Sequence, residues 1–403
     1  MRQMKRWAAL ALSAALCAGT LSGCGRAEET SILPVCVGSG VTTFDPAYVS
    51  TGADYTVAGS LYEPLMRMTC NTDGSAAAAE GMAKGVDVKE NFDGTVTYIF
   101  RLRGARWSDG EAVKAQDFVY AWQRLANPLT LFPNAALLSV VQGYGAVRAG
   151  GDPAELAVTA KNDSTLEVVL TGKYDWFLTG VCSSPATVPL RQDVVQSLKE
   201  KAQAASQAAG EEGAVLKWWH DPTLLVTNGA YQASAYEPGK TLDLTRGEYY
   251  YGRVRNDGVH FVFAGSPEDA WALYDGEAVD FTDTLPQEQL DAEAAQGQAL
   301  APELSVQTVL FNGGQYPLDD PSVRRALTLA VDRQAVAALA GGSASAAEGP
   351  VPHGIPGSEE EDFRTEGGDL LNSSAEDYAS NCDQAKQLLA DSGYDSGSAL
   401  EYL

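Results

Sequence analysis

The apolar positions along this chain change period several times, and each change marks an element. Val96, Tyr98, Phe100 and Leu102 alternate with Thr95, Thr97, Arg101 and Arg103, the two-residue period of a strand with one buried face. Only Ile99 breaks the alternation. Asp93-Gly94 just before it is a hairpin turn pair, and Asp109-Gly110, after Trp107-Ser108, marks a second tight turn. The period then becomes helical. Phe118, Val119, Trp122 and Leu125 share one face, and Pro128 ends the helix near Asn127 because it disfavours the helical conformation in the residue before it.

Earlier in the chain, Ile32 to Val37 predicts a first strand, with Pro34 pointing to a sheet edge, and Ala53 to Tyr62 predicts a helix. The alanine run Ser75 to Glu80 assigns no element. Leu129 to Val147 contains Leu131-Phe132-Pro133-Asn134 and then predicts a second apolar helix ended by Gly150-Gly151, and strands at Leu156 to Thr159 and Leu166 to Leu170 flank the turn Asn162-Asp163-Ser164. Residues 192 to 216 read as an exposed helix rich in Ala, Gln and Glu, with Gly210 and Gly213 near its end. Strands follow at Tyr231 to Tyr236, Thr241 to Thr245 and Val259 to Phe263, then a helix from Ala270 that gives way to Gly276-Glu277-Ala278-Val279-Asp280, and another after Pro286. Val306 to Phe311 predicts a strand, and Asp319-Asp320-Pro321 caps a long helix with apolar Val323, Leu327, Ala330 and Val331. Glu359 to Tyr378 is acidic, rich in Gly and Ser, and expected to be mobile. A last helix at Asp383 to Asp391 and a strand beginning at Leu400 close the chain.

Length and charge narrow the class. At 403 residues the chain holds two or three domains. Its 53 acidic against 28 basic residues give a formal charge of −25, which repels nucleic acid and anionic membrane surfaces and is compatible with attracting basic ligands. Arg2, Lys5 and Arg6 followed by the apolar stretch Trp7 to Ser22 form a signal peptide, too short to span a bilayer. Of the six cysteines, Cys36, Cys70, Cys182 and Cys382 show no CxxC spacing, so a zinc site is not expected, and disulfides and buried free thiols both remain open. The three histidines, His220, His260 and His353, form no metal set, and hydrolase and P-loop motifs are absent. No enzyme activity and no cofactor are expected.

Several of these segments carry a resemblance. The strand, the Trp107-Ser108-Asp109-Gly110 turn and the helix bearing Gln123-Arg124 resemble the signature of the bacterial oligopeptide- and dipeptide-binding proteins, the solute-binding proteins of ABC importers. Glu63-Pro64-Leu65-Met66, Asn228-Gly229-Ala230-Tyr231, Gly276-Glu277-Ala278-Val279-Asp280, Pro321 to Leu327 and Val351-Pro352-His353-Gly354 are similar to further family segments, with Ala230 standing where a proline is usual. Leu21-Ser22-Gly23-Cys24 resembles the lipobox of bacterial lipoproteins, in which the cysteine, here Cys24, is lipidated.

The resemblance implies an α/β fold of the two-lobed, periplasmic-binding-protein-like (type II) hinge kind with an extra domain. Its domains would be a signal peptide at 1–23, a lipid anchor and tether at 24–30, a discontinuous lobe I at 31–67 and 186–305, an extra domain II at 68–185 and a partial domain III at 306–403. Ser184 to Pro189 would be a crossing between lobes. Ligand contacts are implied at Thr43, Phe44, Phe132, Asp283, Thr284, Thr308 and Asn312. Read as residues alone, Asp45-Pro46 equally fits a turn and cap, Phe132 fits a core position, and Asp283 or Thr284 fits a helix cap. Family members continue beyond this length, so the chain is expected to be C-terminally truncated. The implied protein is an extracytoplasmic lipoprotein that captures oligopeptides or a related solute for ABC permease subunits, touching the membrane through its anchor alone. An envelope lipoprotein with an adhesion or signalling role is the alternative.

Overall fold

The computed structural model describes residues 31–38, 40–72, 75–209, 217–296, 304–340, 344–357 and 361–394. The signal peptide, Cys24 and its tether, the end of the helix expected to reach residue 216, and the strand at Leu400 lie outside the described residues. Among the described residues no helix is long and apolar enough to cross a membrane. The chain divides into two compact units, one through Thr284 and one from Leu285.

The first unit is built on two large sheets and a two-stranded one. The larger has five strands in the order β11-β1-β10-β9-β8: β1 (Ile32–Val37), β8 (Tyr231–Glu237), β9 (Thr241–Arg246), β10 (Gly258–Phe263) and β11 (Phe281–Thr282). β1 runs parallel to both β10 and β11, and the β8-β9-β10 meander is antiparallel. Pro34 is therefore not on an edge strand. Its carbonyl accepts from Asp280 N (2.9 Å) on the β11 side, and the ladder with β11 begins only at Val35, so the N–H that proline lacks is not missed. α1 (Gly52–Leu61) follows β1, and α5 (Pro267–Asp275) crosses from β10 to β11.

Between α1 and the meander lies the second sheet, in the order β4-β5-β7-β6. It comprises β4 (Ala83–Glu90), β5 (Val96–Leu102), β6 (Val158–Asn162) and β7 (Thr165–Leu170), and α2 (Ala115–Ala126) covers it. β5 alternates as its sequence predicts. Val96, Tyr98, Phe100 and Leu102 are buried with Phe118, Trp122 and Leu125 of α2, and the Trp122 indole N–H donates to the Thr187 carbonyl in the turn Pro185–Thr187 (2.8 Å).

Two expectations need correction here. The alanine run is a strand, β3 (Ala76–Glu80), paired with β2 (Met66–Cys70). The single apolar helix expected after Asn134 is broken into a 3-10 segment, Ala135–Val140, and α3 (Tyr144–Arg148). Gly143 sits between them at φ +86°, where an added Cβ would lie 2.0 Å from the Glu155 carbonyl oxygen; the chain passes too close for a helix to continue. The exposed helix α4 (Gln192–Ala209) does form.

In the second unit, α6 (Gln287–Ala295), α7 (Pro321–Ala330), α8 (Arg333–Ala340), α9 (Phe363–Gly367) and α10 (Tyr378–Ser392) are the helices. α7 packs on α10 through Ala326, Leu329 and Ala385. Val306 to Phe311 is not a strand: among the described residues it joins no sheet, the Val306 carbonyl accepts from Thr308 Oγ1 (3.4 Å), and Val309 and Leu310 are exposed. Nor is the acidic stretch before Tyr378 shapeless, because Asp362 caps α9 and Arg364 is buried against Asp369 (2.9 Å).

Candidate functional site

In an open sheet with parallel strands, the carboxyl ends of adjacent strands that leave toward opposite faces frame a crevice. β1 and β10 meet that condition. Val35 and Val37 join the main core with Val57 and Leu61 of α1, whereas Cys36 between them faces Ala270 of α5. At this edge the Gly38 N–H donates to Asp283 Oδ1 (2.8 Å), and a Cβ on Gly38 would sit 3.1 Å from Thr284 Cγ2. Asp283 is exposed, while Thr284 is half-buried and donates its N–H to Thr282 Oγ1 (3.4 Å).

The loop that leaves β1 is held by two carboxylates. Asp54, fully buried in the first turn of α1, accepts from Thr42 N (2.7 Å), Thr42 Oγ1 (2.8 Å), Thr43 N (3.3 Å), Ser50 N (3.2 Å) and Thr51 N (3.2 Å). The helix N-terminus favours this negative charge. Asp45, also fully buried, takes both prongs of the Arg124 guanidinium, one at 2.8 Å, together with Trp218 Nε1 (3.2 Å) and Ala47 N (3.1 Å). Burial opposes the Arg124 charge, but Asp45 outweighs it and raises the guanidinium pKa. Arg124 lies over the Phe132 ring (4.7 Å) and near Trp218 (5.8 Å), and Phe132 meets Tyr48 edge-on (4.6 Å).

The expected contact residues are thus distributed. Asp283 and Thr284 border the carboxyl edge of β1, and Thr43 and Phe44 lie on the loop leaving it. Both loop side chains point inward, Phe44 against the Tyr236 ring (5.0 Å). Phe132 is buried beside Arg124. Thr308 and Asn312 belong to the second unit and are exposed; Asn312 Oδ1 accepts from Gly314 N (3.2 Å).

Two clusters escaped the sequence. One is Asp45 with Arg124, 79 residues apart. The other is Glu63, buried, chelated by Arg67 (2.6 and 2.9 Å) and accepting from the Tyr250 and Tyr251 hydroxyls (2.9 and 3.1 Å), with Arg103 stacked on Tyr251 (4.1 Å). Burial, then the Glu63 charge, pushes the Tyr251 hydroxyl up to about 12. The only available signal was a lone Glu inside an apolar motif. An open polar depression lined by Glu111, Lys114, Asp117, Arg191, Asp193 and Gln196 lies elsewhere, at the starts of α2 and α4. Its Arg191 is already paired with Asp109 (3.2 Å) and Asp193 (2.6 Å). Among the described residues no group of three or more His, Cys, Asp and Glu side chains could hold a metal ion, and Cys36, Cys70, Cys182 and Cys382 are free thiols.

Comparison with known proteins bears on this geometry. Over 354 residues the chain is 26% identical to the dipeptide-binding protein DppE of Bacillus subtilis, covering 86% of this chain and 59% of that protein. With the periplasmic oligopeptide-binding protein OppA of Salmonella typhimurium it shares 29% identity over 340 residues, 82% of this chain and 58% of the relative. The chain therefore spans less than two thirds of the length of these relatives. The Escherichia coli murein tripeptide binding protein MppA superposes with a TM-score of 0.73 at 25% identity, covering 92% of this chain and 68% of that one. Haemophilus influenzae OppA in complex with RPPGFSPFR gives 0.71 at 25% identity, with the same coverage. The fold is accordingly the α/β type II solute-binding fold. Residues 78–403 match the family model described as bacterial extracellular solute-binding proteins, family 5, middle region, and the chain belongs to that family.

Proposed function

We propose that this protein is the solute-capturing lipoprotein of an ABC importer, taking oligopeptides or a closely related solute outside the cytoplasm and passing them to membrane permease subunits. The observation that carries this reading is the family match over residues 78–403, which reaches into both compact units. The crevice at the carboxyl ends of β1 and β10, bordered by Gly38, Asp283, Thr284 and the Thr42 to Asp45 loop, supports a solute-facing edge on the first unit. The resemblance further implies contacts at Thr308 and Asn312 on the second unit and at Phe44 and Phe132, whose side chains are buried in the first. The domain limits stated above, with 68–185 as the extra domain, complete this reading. Cys24 carries the lipid, a reading supported by its position after Leu21-Ser22-Gly23.

The test is thermal unfolding of the chain with pools of short peptides. A solute that binds only the folded state adds RT ln(1 + [L]/Kd), about 2.7 kcal/mol at a hundredfold excess over Kd. A peptide-dependent rise in Tm is expected, and its absence across peptides of two to nine residues would remove peptides as the solute class. Intact-mass measurement on membrane-extracted protein should show a diacylglyceryl adduct that Cys24→Ala abolishes.

A further inference from the structure

The two carboxylates that fix the loop after β1 are satisfied in different ways. Asp54 is surrounded by N–H and O–H groups of the loop and helix to which it belongs. That arrangement shows that a buried carboxylate in this segment can be neutralised locally. Asp45 has one local donor, Ala47 N, and otherwise reaches across the unit to Arg124 on α2 and to the Trp218 indole. A buried ion pair is weak as a source of stability, because desolvation consumes most of its attraction. A two-pronged guanidinium supplies direction instead: its planar fork accepts one orientation of the carboxylate. The guanidinium carbon lies 4.7 Å from the centre of the Phe132 ring, and the Arg124 side chain is only 10% exposed.

We propose that Arg124 is a positioning residue of the solute site: through Asp45 it sets the angle of the Thr43-Phe44 turn at the carboxyl edge of β1 and so governs solute affinity. Phe132 then serves the guanidinium as a platform and does not touch the solute. The proposal rests on the reading of that edge as the solute site. It makes α2, which covers the four-stranded sheet, a determinant of binding at the five-stranded one.

Arg124→Lys in the whole chain is the informative variant, because it keeps the charge and loses the fork; Asp45→Asn, which keeps the shape and loses the charge, is the second. Hydrogen exchange needs no solute. The amides of Thr42 to Val49 should exchange at least about tenfold faster in Arg124→Lys, equivalent to about 1.4 kcal/mol, while β5 and β7 keep wild-type protection. An equal increase everywhere, the mark of a merely structural role, or no change in the loop overturns the proposal. Calorimetry with tri-alanine through penta-alanine, well below each Tm, should give a Kd at least about tenfold weaker in both variants, with Arg191→Lys unchanged as the control. Equal Kd values in Arg124→Lys and wild type overturn the proposal. Failure of the wild type to bind any member of the ladder overturns the affinity claim, the peptide reading being judged separately by the pools of two to nine residues, and loop exchange then still judges the clamp by itself.

Discussion

The two compact units use similar helices and reach very different burial. In the first, Trp107, Trp122, Phe100, Phe118 and Phe177 are fully buried in a core that both sheets share. In the second, the buried cluster is Ala326, Leu329 and Ala385, with Leu371, Leu388 and Leu389 half-covered, while Val336 (55%), Leu339 (89%) and Leu370 (69%) stand exposed. α2 and α7 carry equally clear apolar stripes. The difference is the second layer: among the described residues the second unit has no strand, only the isolated bridge Pro356 to Asp362. An amphipathic helix contributes through what covers its stripe, and propensity alone does not substitute for a sheet.

The sharpest way to break this comparison is Trp122→Ala. It empties a fully buried site and orphans the Thr187 carbonyl, so a loss of about 3–5 kcal/mol is expected in urea unfolding of the first unit. A cost below about 1 kcal/mol would mean the first core is no tighter than the second. A smaller, pH-dependent effect belongs to Tyr251. An unfolded tyrosine ionises near about 10, whereas in the fold burial and Glu63 push Tyr251 up to about 12. Between those values the native state keeps a proton that the unfolded chain has lost. Stability is therefore intact below that window and falls as pH rises through it. Tyr251→Phe should flatten the fall of the urea midpoint between pH 10 and 12, and an unchanged alkaline slope would contradict the assignment. The smallest effect is expected at Leu339→Ser on α8, within about 0.5 kcal/mol. A measured loss several times larger would show that something covers this face.

Elements were legible where a period was long enough to read. β5 has the limits its alternation gave, and α2 ends at Ala126 as Pro128 requires. β3 was illegible because a run of alanine has no period, and the break at Gly143 because a close pass of Glu155 is a tertiary fact. Val306 to Phe311 shows the opposite error, since a strand pattern becomes a strand only when a partner supplies the hydrogen bonds. At the proposed site, the contacts Thr43, Phe44, Asp283 and Thr284 rest on family resemblance alone, with turn and cap chemistry as good an account of the residues themselves. The Asp45 to Arg124 pair and the Glu63 cluster join residues 79 and 187 positions apart, and no local rule connects a lone carboxylate with a distant guanidinium or phenol.

The partnership of β1 with β10 also sets a timetable. Ser31 N donates to Asp257 across 226 positions of sequence, so the first strand to emerge must stay unpaired until almost the whole first unit has followed. At about 5–20 residues per second this wait is on the order of ten to fifty seconds. The β4 to β7 sheet, whose partners are close in sequence, can assemble in the meantime. The carboxyl edge of β1, proposed above as the solute-facing edge, is therefore among the last parts of the unit to exist, and a chain halted before β10 would hold a finished four-stranded sheet without that edge.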